Sequence, residues 1–391
     1  MKISKNFTKS LVGILSSVVL LSSMSGCFRP SPTTIDVEAK TQAFAVVPGE
    51  NKIAVLDPDT NQVAKYLDTD VRPSSIAVSP DGKMILATNE GSGTVSVFLR
   101  RANGAFEKLS PVGSGNKPAS IVFNPKQSEA YVSYEGDGKI MVLDTKNAQK
   151  GILRTAGVVN LQGSAPKKMV MDSSGTRLFV IDGNTAKLLV LTKSGNTLIR
   201  KTSEIPLVQN SVVGTSSASS IEGITITSQD RVYVSNYTRD EVLVIDGKSP
   251  TAVLQTLNLR NGGGNLAINA TIGPKNMTVY KNSSMEKVYV AGYNASIVSS
   301  IDTRTNKITN VALTGSTGFQ GNSNRDSYNP VGVAVVTSNG SDYIYATNSA
   351  GLGLSLIDPL TDRLKRNTSH AESLGEQKVL GEIVSVGAIK D

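Results

Sequence analysis

Apolar and polar positions alternate along much of the chain. In RVYVSNYTRDEVLVID, Arg231 to Asp246, the valines Val232, Val234, Val242 and Val244 take turns with Tyr233, Ser235, Leu243 and Ile245, and a polar stretch from Asn236 to Asp240 interrupts them. A period of two is what a pleated strand imposes, so the segment predicts a hairpin: strand, tight reversal, strand. The same pattern returns in ILATNEGSGTVSVF from Ile85, AYVSYEGDGKIMVLD from Ala130, RLFVIDGNTAKLLVL from Arg177, KVYVAGYNASIVSSID from Lys287 and YIYATNSAGLGLSLID from Tyr343. A worn copy, AFAVVPGENKIAVLD, begins at Ala43, which makes seven hairpins.

Six of the hairpins follow a short apolar strand, usually led by proline. Aligned on Pro73, Pro118, Pro166, Ile221, Pro274 and Pro330, these strands recur at intervals of 45, 48, 55, 53 and 56 residues. A repeat near that length with four strands per unit predicts propeller blades. Naming the strands of a blade A to D from the channel outward, the proline-led strand is A and the hairpin is B and C. Candidates for D are Gln62 to Leu67, Thr197 to Ile205, Ala252 to Leu259 and Lys307 to Leu313. The first hairpin lacks a strand A of its own, and EIVSVGAIK from Glu382 to Lys390 is expected to supply it and close the ring. The predicted fold is all-β: a seven-bladed propeller over residues 43–391.

The quoted blades resemble the YVTN-type β-propeller repeat, with YVSN at Tyr233, LATN at Leu86 and YATN at Tyr345. The resemblance implies the fold; propellers host enzymes, receptors and scaffolds alike.

Composition changes the picture mainly at the N-terminus. Lys2, Lys5 and Lys9 precede an apolar run from Leu11 to Leu21 and small residues from Ser22 to Gly26, which reads as a cleaved secretory signal over 1–26. As a helix the run would reach only about 16 Å, too short to span a bilayer. Cys27, the sole cysteine, follows Ser25 and Gly26 in a stretch that resembles a bacterial lipobox. The resemblance implies a lipidated Cys27, a membrane attached through that anchor, and residues 27–42 as a tether. Phe28 stands where an inner-membrane retention signal would place aspartate, so the outer membrane is the expected location, with the side it faces left open. Removing the leader takes three lysines and no acid, leaving 37 basic against 32 acidic residues. That excess is modest and scattered, so nucleic acid is not an expected partner.

Antiparallel pairing puts the B-to-C and D-to-A connections on one face of the ring. The three longest connections, Val208 to Ser220, Arg260 to Ile272 and Thr314 to Tyr328, fall there, so binding of a protein partner is expected on this face. Anchors for such binding are Tyr134, Tyr237, Arg239, Tyr293 and Tyr328. The rival expectation is a hydrolase at the channel mouth, with Glu90, Glu135 or Glu222 as base and Arg72 or Arg239 stabilising an oxyanion. Propeller lactonases resemble the chain in fold, and that resemblance implies His, Arg and Glu around the mouth. The only histidine, His370, sits in the final connection, which argues against that activity and against histidine-dependent triads or metal sites. Asp57, Asp59 and Asn61 have the alternate spacing of a calcium loop, but Gln62 replaces its glycine, and a C-to-D turn accounts for the same residues. No cofactor or metal is expected.

Overall fold

The computed structural model describes residues 41–101, 103–195, 199–208, 221–263, 271–313, 328–349, 353–369 and 380–386. Cys27 with its leader and the tether up to residue 40, His370, and most of each long connection lie outside the described residues. Seven four-stranded antiparallel sheets are arranged in a ring, as the repeat predicted. Blade six shows the pattern in full: A is Pro274–Lys281, B is Glu286–Gly292, C is Ile297–Asp302 and D is Ile308–Ala312. Among the described residues no helix is long and apolar enough to cross a membrane.

The ring closes through the C-terminal strand. Ile383–Val386 pairs antiparallel with Gln42–Val47, in the register Ala45 to Ile383 and Phe44 to Val384, and so becomes strand A of blade one. Blade seven already has its own outer strand, Arg363–Ser369. The A strands of successive blades touch all the way round, and that of blade seven touches the C-terminal strand. Apolar side chains pack between neighbouring blades, not within one. Seven buried clusters occupy the seven junctions, and that between blades seven and one joins Ala45, Leu56 and Val47 to Tyr345, Leu354 and Leu356. Every blade is thus half of two cores, which is why an open ring would expose a complete apolar face.

A polar device reinforces two junctions, six–seven and seven–one. There the tyrosine near the middle of strand B points across to the C-to-D turn of the next blade. Tyr289 in blade six donates to Asp362 Oδ1 at 2.6 Å and lies 3.2 Å from the Pro359 carbonyl, while Lys287 Nζ reaches the same two groups at 2.7 and 2.9 Å. Tyr345 in blade seven makes the corresponding contacts in blade one, with Asn61 Oδ1 and, at 3.2 Å, with the Pro58 carbonyl. The residues with calcium-like spacing are engaged here: Asp57 Oδ1 accepts the Asp59 amide at 2.9 Å, and Asp59 accepts the Asn339 amide at 3.1 Å.

Burial pushes these B-strand tyrosines up; Tyr134, in blade three, is raised to about 12 from an ordinary 10 by burial and the nearby Asp137 carboxylate. A phenol whose folded value is raised binds its proton more tightly in the folded state, so its stabilisation is complete below pH 10 and is lost as pH rises through the folded value. Stability should therefore fall between pH 10 and about 12, with tyrosinate absorbance rising together with loss of the β-sheet circular dichroism signal. Tyr289→Phe should cost about 1–2 kcal/mol in urea unfolding, since Asp362 keeps Lys287 but loses one short bond.

Candidate functional site

On the B-to-C and D-to-A face, four blades build the channel mouth from the residue before the A-strand proline and the first residue of the B-to-C turn. The residue before the A-strand proline adopts a left-handed backbone at Arg72 (φ 55°), Lys117 (φ 57°), Gly273 (φ 62°) and Asn329 (φ 46°). Residues preceding proline ordinarily prefer extended backbone, so the non-glycine cases carry strain. The strain is held by a repeated bond: the carbonyl of that residue accepts the amide of the first B-to-C turn residue. The bonds are Glu90 to Arg72 at 2.8 Å, Glu135 to Lys117 at 2.9 Å, Tyr293 to Gly273 at 3.0 Å and Ser349 to Asn329 at 3.1 Å.

That geometry brings side chains together in matched pairs. Arg72 faces Glu90 at 3.6 Å, Lys117 faces Glu135 at 3.0 Å, and Lys167, from the following position of strand A, reaches Glu222 at 3.0 Å. The expected base candidates are thus each opposed by a cation of the mouth, on different blades, and the three do not converge on a common point. Among the described residues no group of three or more His, Cys, Asp or Glu is placed to hold a metal ion.

The aromatic candidates separate. Tyr237 and Tyr293, half-buried, flank the Lys275 ammonium, which lies 3.9 Å from the Tyr293 ring centre and 5.8 Å from that of Tyr237. Tyr237 donates to Asn294 Oδ1 at 2.9 Å, and Asn294 Nδ2 donates to Thr271 Oγ1 at 2.9 Å, which ties blades five and six into one patch. Tyr328 packs against the core between blades six and seven, its amide donating to Ser296 Oγ at 3.0 Å. Arg239 is exposed but stands apart, lining a groove of about 460 Å³ with Pro206, Leu207, Glu241 and Val253. Tyr134 must be corrected: it is fully buried, with the Lys139 ammonium 5.0 Å from its ring centre. It is the last residue of its strand B, Glu129–Tyr134, and alternation turns it inward; the surface turn begins one residue later.

Deeper in the channel lies a constellation that the repeat alone did not reveal. The residue two after the A-strand proline is Ser75, Ser120, Lys168, Asn276 or Gly332, with Gly223 in blade five and Glu382 in blade one. Lys168 and Glu382 form an ion pair, and Ser75 Oγ donates to Glu382 Oε1 at 2.9 Å. Blades four and one are as far apart as two blades of seven can be, so the pair crosses the channel. It borders a cavity of about 110 Å³ whose lining includes Ser120, Asn276, Ile224 and Met277.

Comparison with known proteins agrees with this architecture. The model of the family described as lactonase, seven-bladed beta-propeller, matches residues 21–266, more than half of the chain, and the chain belongs to that family. No curated protein matches. Among solved structures, a functionally unknown protein from Desulfotomaculum acetoxidans superposes with a TM-score of 0.63 at 11% identity, over 88% of this chain and 98% of that one. AztD from Citrobacter koseri, in its apo form, gives 0.60 at 16% identity over 89% and 98%. Virginiamycin B lyase from Staphylococcus aureus, a catalytically inactive histidine-to-alanine form with quinupristin, gives 0.55 at 13% over 80% and 93%. At these identities the likeness is one of fold.

Lys168→Met should destabilise the ring by about 1–3 kcal/mol, because it leaves the Glu382 carboxylate without its cation in a site only about one-fifth exposed. Combining it with Glu382→Leu should cost less than the sum of the two single changes, a double-mutant cycle that measures the cross-channel pair directly.

Proposed function

We propose that the chain is an envelope-anchored propeller that binds a protein partner through the mouth face, with Tyr237, Lys275 and Tyr293 at the centre of the contact. The observation that carries this reading is the state of the carboxylates at the mouth and in the channel: Glu90, Glu135 and Glu222 at the mouth and Glu382 below it each sit in an ion pair. A general base needs a carboxylate aimed at a substrate proton, and these are aimed at cations. An aromatic pair holding a lysine is, by contrast, the composition of an interface anchor. The YVTN-like repeat supports the same reading. The lipobox-like stretch ending at Cys27 supports attachment through a lipid, and Phe28 after it favours the outer membrane.

Family membership favours a second reading, hydrolysis of a lactone in the channel. There Lys168 and Glu382, with Ser75, are the charged and hydroxyl groups that do converge. The virginiamycin B lyase made inactive by losing a histidine is the related case of propeller chemistry that depends on that residue type, and the mouth residues described here include none.

Crosslinking in intact cells followed by purification through a C-terminal tag tests the first reading. The native chain should retain a specific protein partner; Tyr237→Ala with Lys275→Ala should reduce recovery at least tenfold without lowering Tm, and Cys27→Ser should release the chain from the membrane fraction. Recovery unchanged by the mouth substitutions would rule out this surface. Turnover of simple lactones, abolished by Glu382→Gln, would establish the enzyme reading instead.

A further inference from the structure

The first residue of the B-to-C turn has a fixed place in the repeat: it follows the last residue of strand B, which pairs with the residue that opens strand A. Asn89 pairs with Pro73 and Glu90 follows; Tyr134 pairs with Pro118 and Glu135 follows. In blades five and six the same place holds tyrosine: Tyr237 after Asn236, which pairs with Ile221, and Tyr293 after Gly292, which pairs with Pro274. The cation has moved as well. Blades two and three carry it before the proline, as Arg72 and Lys117, whereas blade six has Gly273 there and puts Lys275 after the proline. A side chain at position 273 has no room, since a Cβ there would lie 2.8 Å from the Tyr237 ring and 2.6 Å from Asn294 Nδ2.

Lys275 is thus a mouth cation flanked by rings where its counterparts have carboxylates. Arg72 has Glu90, Lys117 has Glu135, and Lys167, which holds in blade four the place of Lys275 in blade six, has Glu222 from the following blade. The blade after Lys275 offers Val331 at the place of Glu222. Among the described residues no carboxylate stands within ion-pair distance of Lys275, whose ammonium rests between the Tyr293 and Tyr237 rings. The connections on either side of blade five add no acid, because residues 209–220 and 264–270 include neither aspartate nor glutamate. A ring face attracts the charge of an ammonium but does not accept its three N–H donors as a carboxylate does. Lys275 and both tyrosines are only half-buried, so a group from outside can reach them. The bonds from Tyr237 to Asn294 and from Asn294 to Thr271 hold the Tyr237 ring in place before anything binds.

Resting on the reading that this face binds a protein, we infer that the partner presents an acidic side chain, an aspartate or glutamate, whose carboxylate pairs with Lys275 beside the two rings. That carboxylate takes the part which Glu90, Glu135 and Glu222 play within the chain. One unmatched cation in a mouth of matched pairs selects a single carboxylate with apolar neighbours that pack on the rings; it does not select a long acidic run.

Carbodiimide coupling in intact cells tests the inference, with a photoreactive residue at the exposed position 238, beside Tyr237, as an independent report of contact. The coupling joins the partner's carboxyl carbon to Lys275 Nζ as an amide; one carboxyl oxygen leaves with the reagent as a urea, and the amine loses a proton. Mass spectrometry should find Lys275 linked to an aspartate or glutamate of another protein. Lys275→Arg keeps the charge and should preserve the photoadduct from position 238 while removing the carbodiimide product, because a guanidinium is not acylated. Lys275→Met should lower the photoadduct about fivefold. Tyr293→Glu should lower it at least threefold more than Tyr293→Gln, since both lose the ring and only the first supplies a carboxylate of the chain's own. A photoadduct undiminished in Lys275→Met, or equal loss from Tyr293→Glu and Tyr293→Gln, would overturn the inference and leave the protein-binding reading standing. Linkage of Lys275 to Asp326 of the same chain would also overturn it. Absence of any photoadduct from position 238 in the otherwise native chain would remove both.

Discussion

Everything in this molecule depends on closing the ring. A blade buries nothing alone: its two faces are halves of two different cores, and the seven apolar clusters exist only because each sheet has a neighbour on both sides. The pairing of Ile383–Val386 with Gln42–Val47 makes the last of those neighbours and leaves the first blade with an innermost strand drawn from the far end of the chain. The tyrosines that cross from strand B to the next C-to-D turn add direction to what packing alone would leave loose. At the six–seven and seven–one junctions they fix one blade against the next by hydrogen bonds to a turn of defined shape, and the Tyr345 contact with Asn61 does this across the seam itself.

The same closure places charge. Because every A strand begins at the mouth, a left-handed residue before its proline can present a side chain to the first residue of the B-to-C turn, and the strain at Arg72 and Lys117 is offset by that recurring amide bond. Arg72 with Glu90 and Lys117 with Glu135 are products of this local arrangement. Such partly exposed pairs add little to stability but leave the mouth close to electrically balanced, which favours selective contact over strong attraction for one sign of charge. Across the channel, Lys168 and Glu382 tie blade four to the closing strand.

Much of this could be read from the sequence because propellers write their fold locally. Alternation over six residues gives the strands, proline and glycine mark the turns, and the repeat interval gives the blade count. What the sequence hid was relational. Tyr134 looked like a turn residue because its hairpin was divided one position too early, and one position in a strand is the difference between surface and core. Lys168 and Glu382 lie 214 residues apart and become partners only once blades one and four are known to face each other.

The central claim is that recognition occurs at the patch where Lys275 lies between Tyr237 and Tyr293. Site-specific photocrosslinking in living cells tests it most directly, with the reactive residue placed at position 275 or, for comparison, at position 146 on an exposed turn of blade three. A discrete protein adduct formed from position 275 and absent from position 146 is the result this account requires. No adduct from position 275, or the same adducts from both positions, would contradict it.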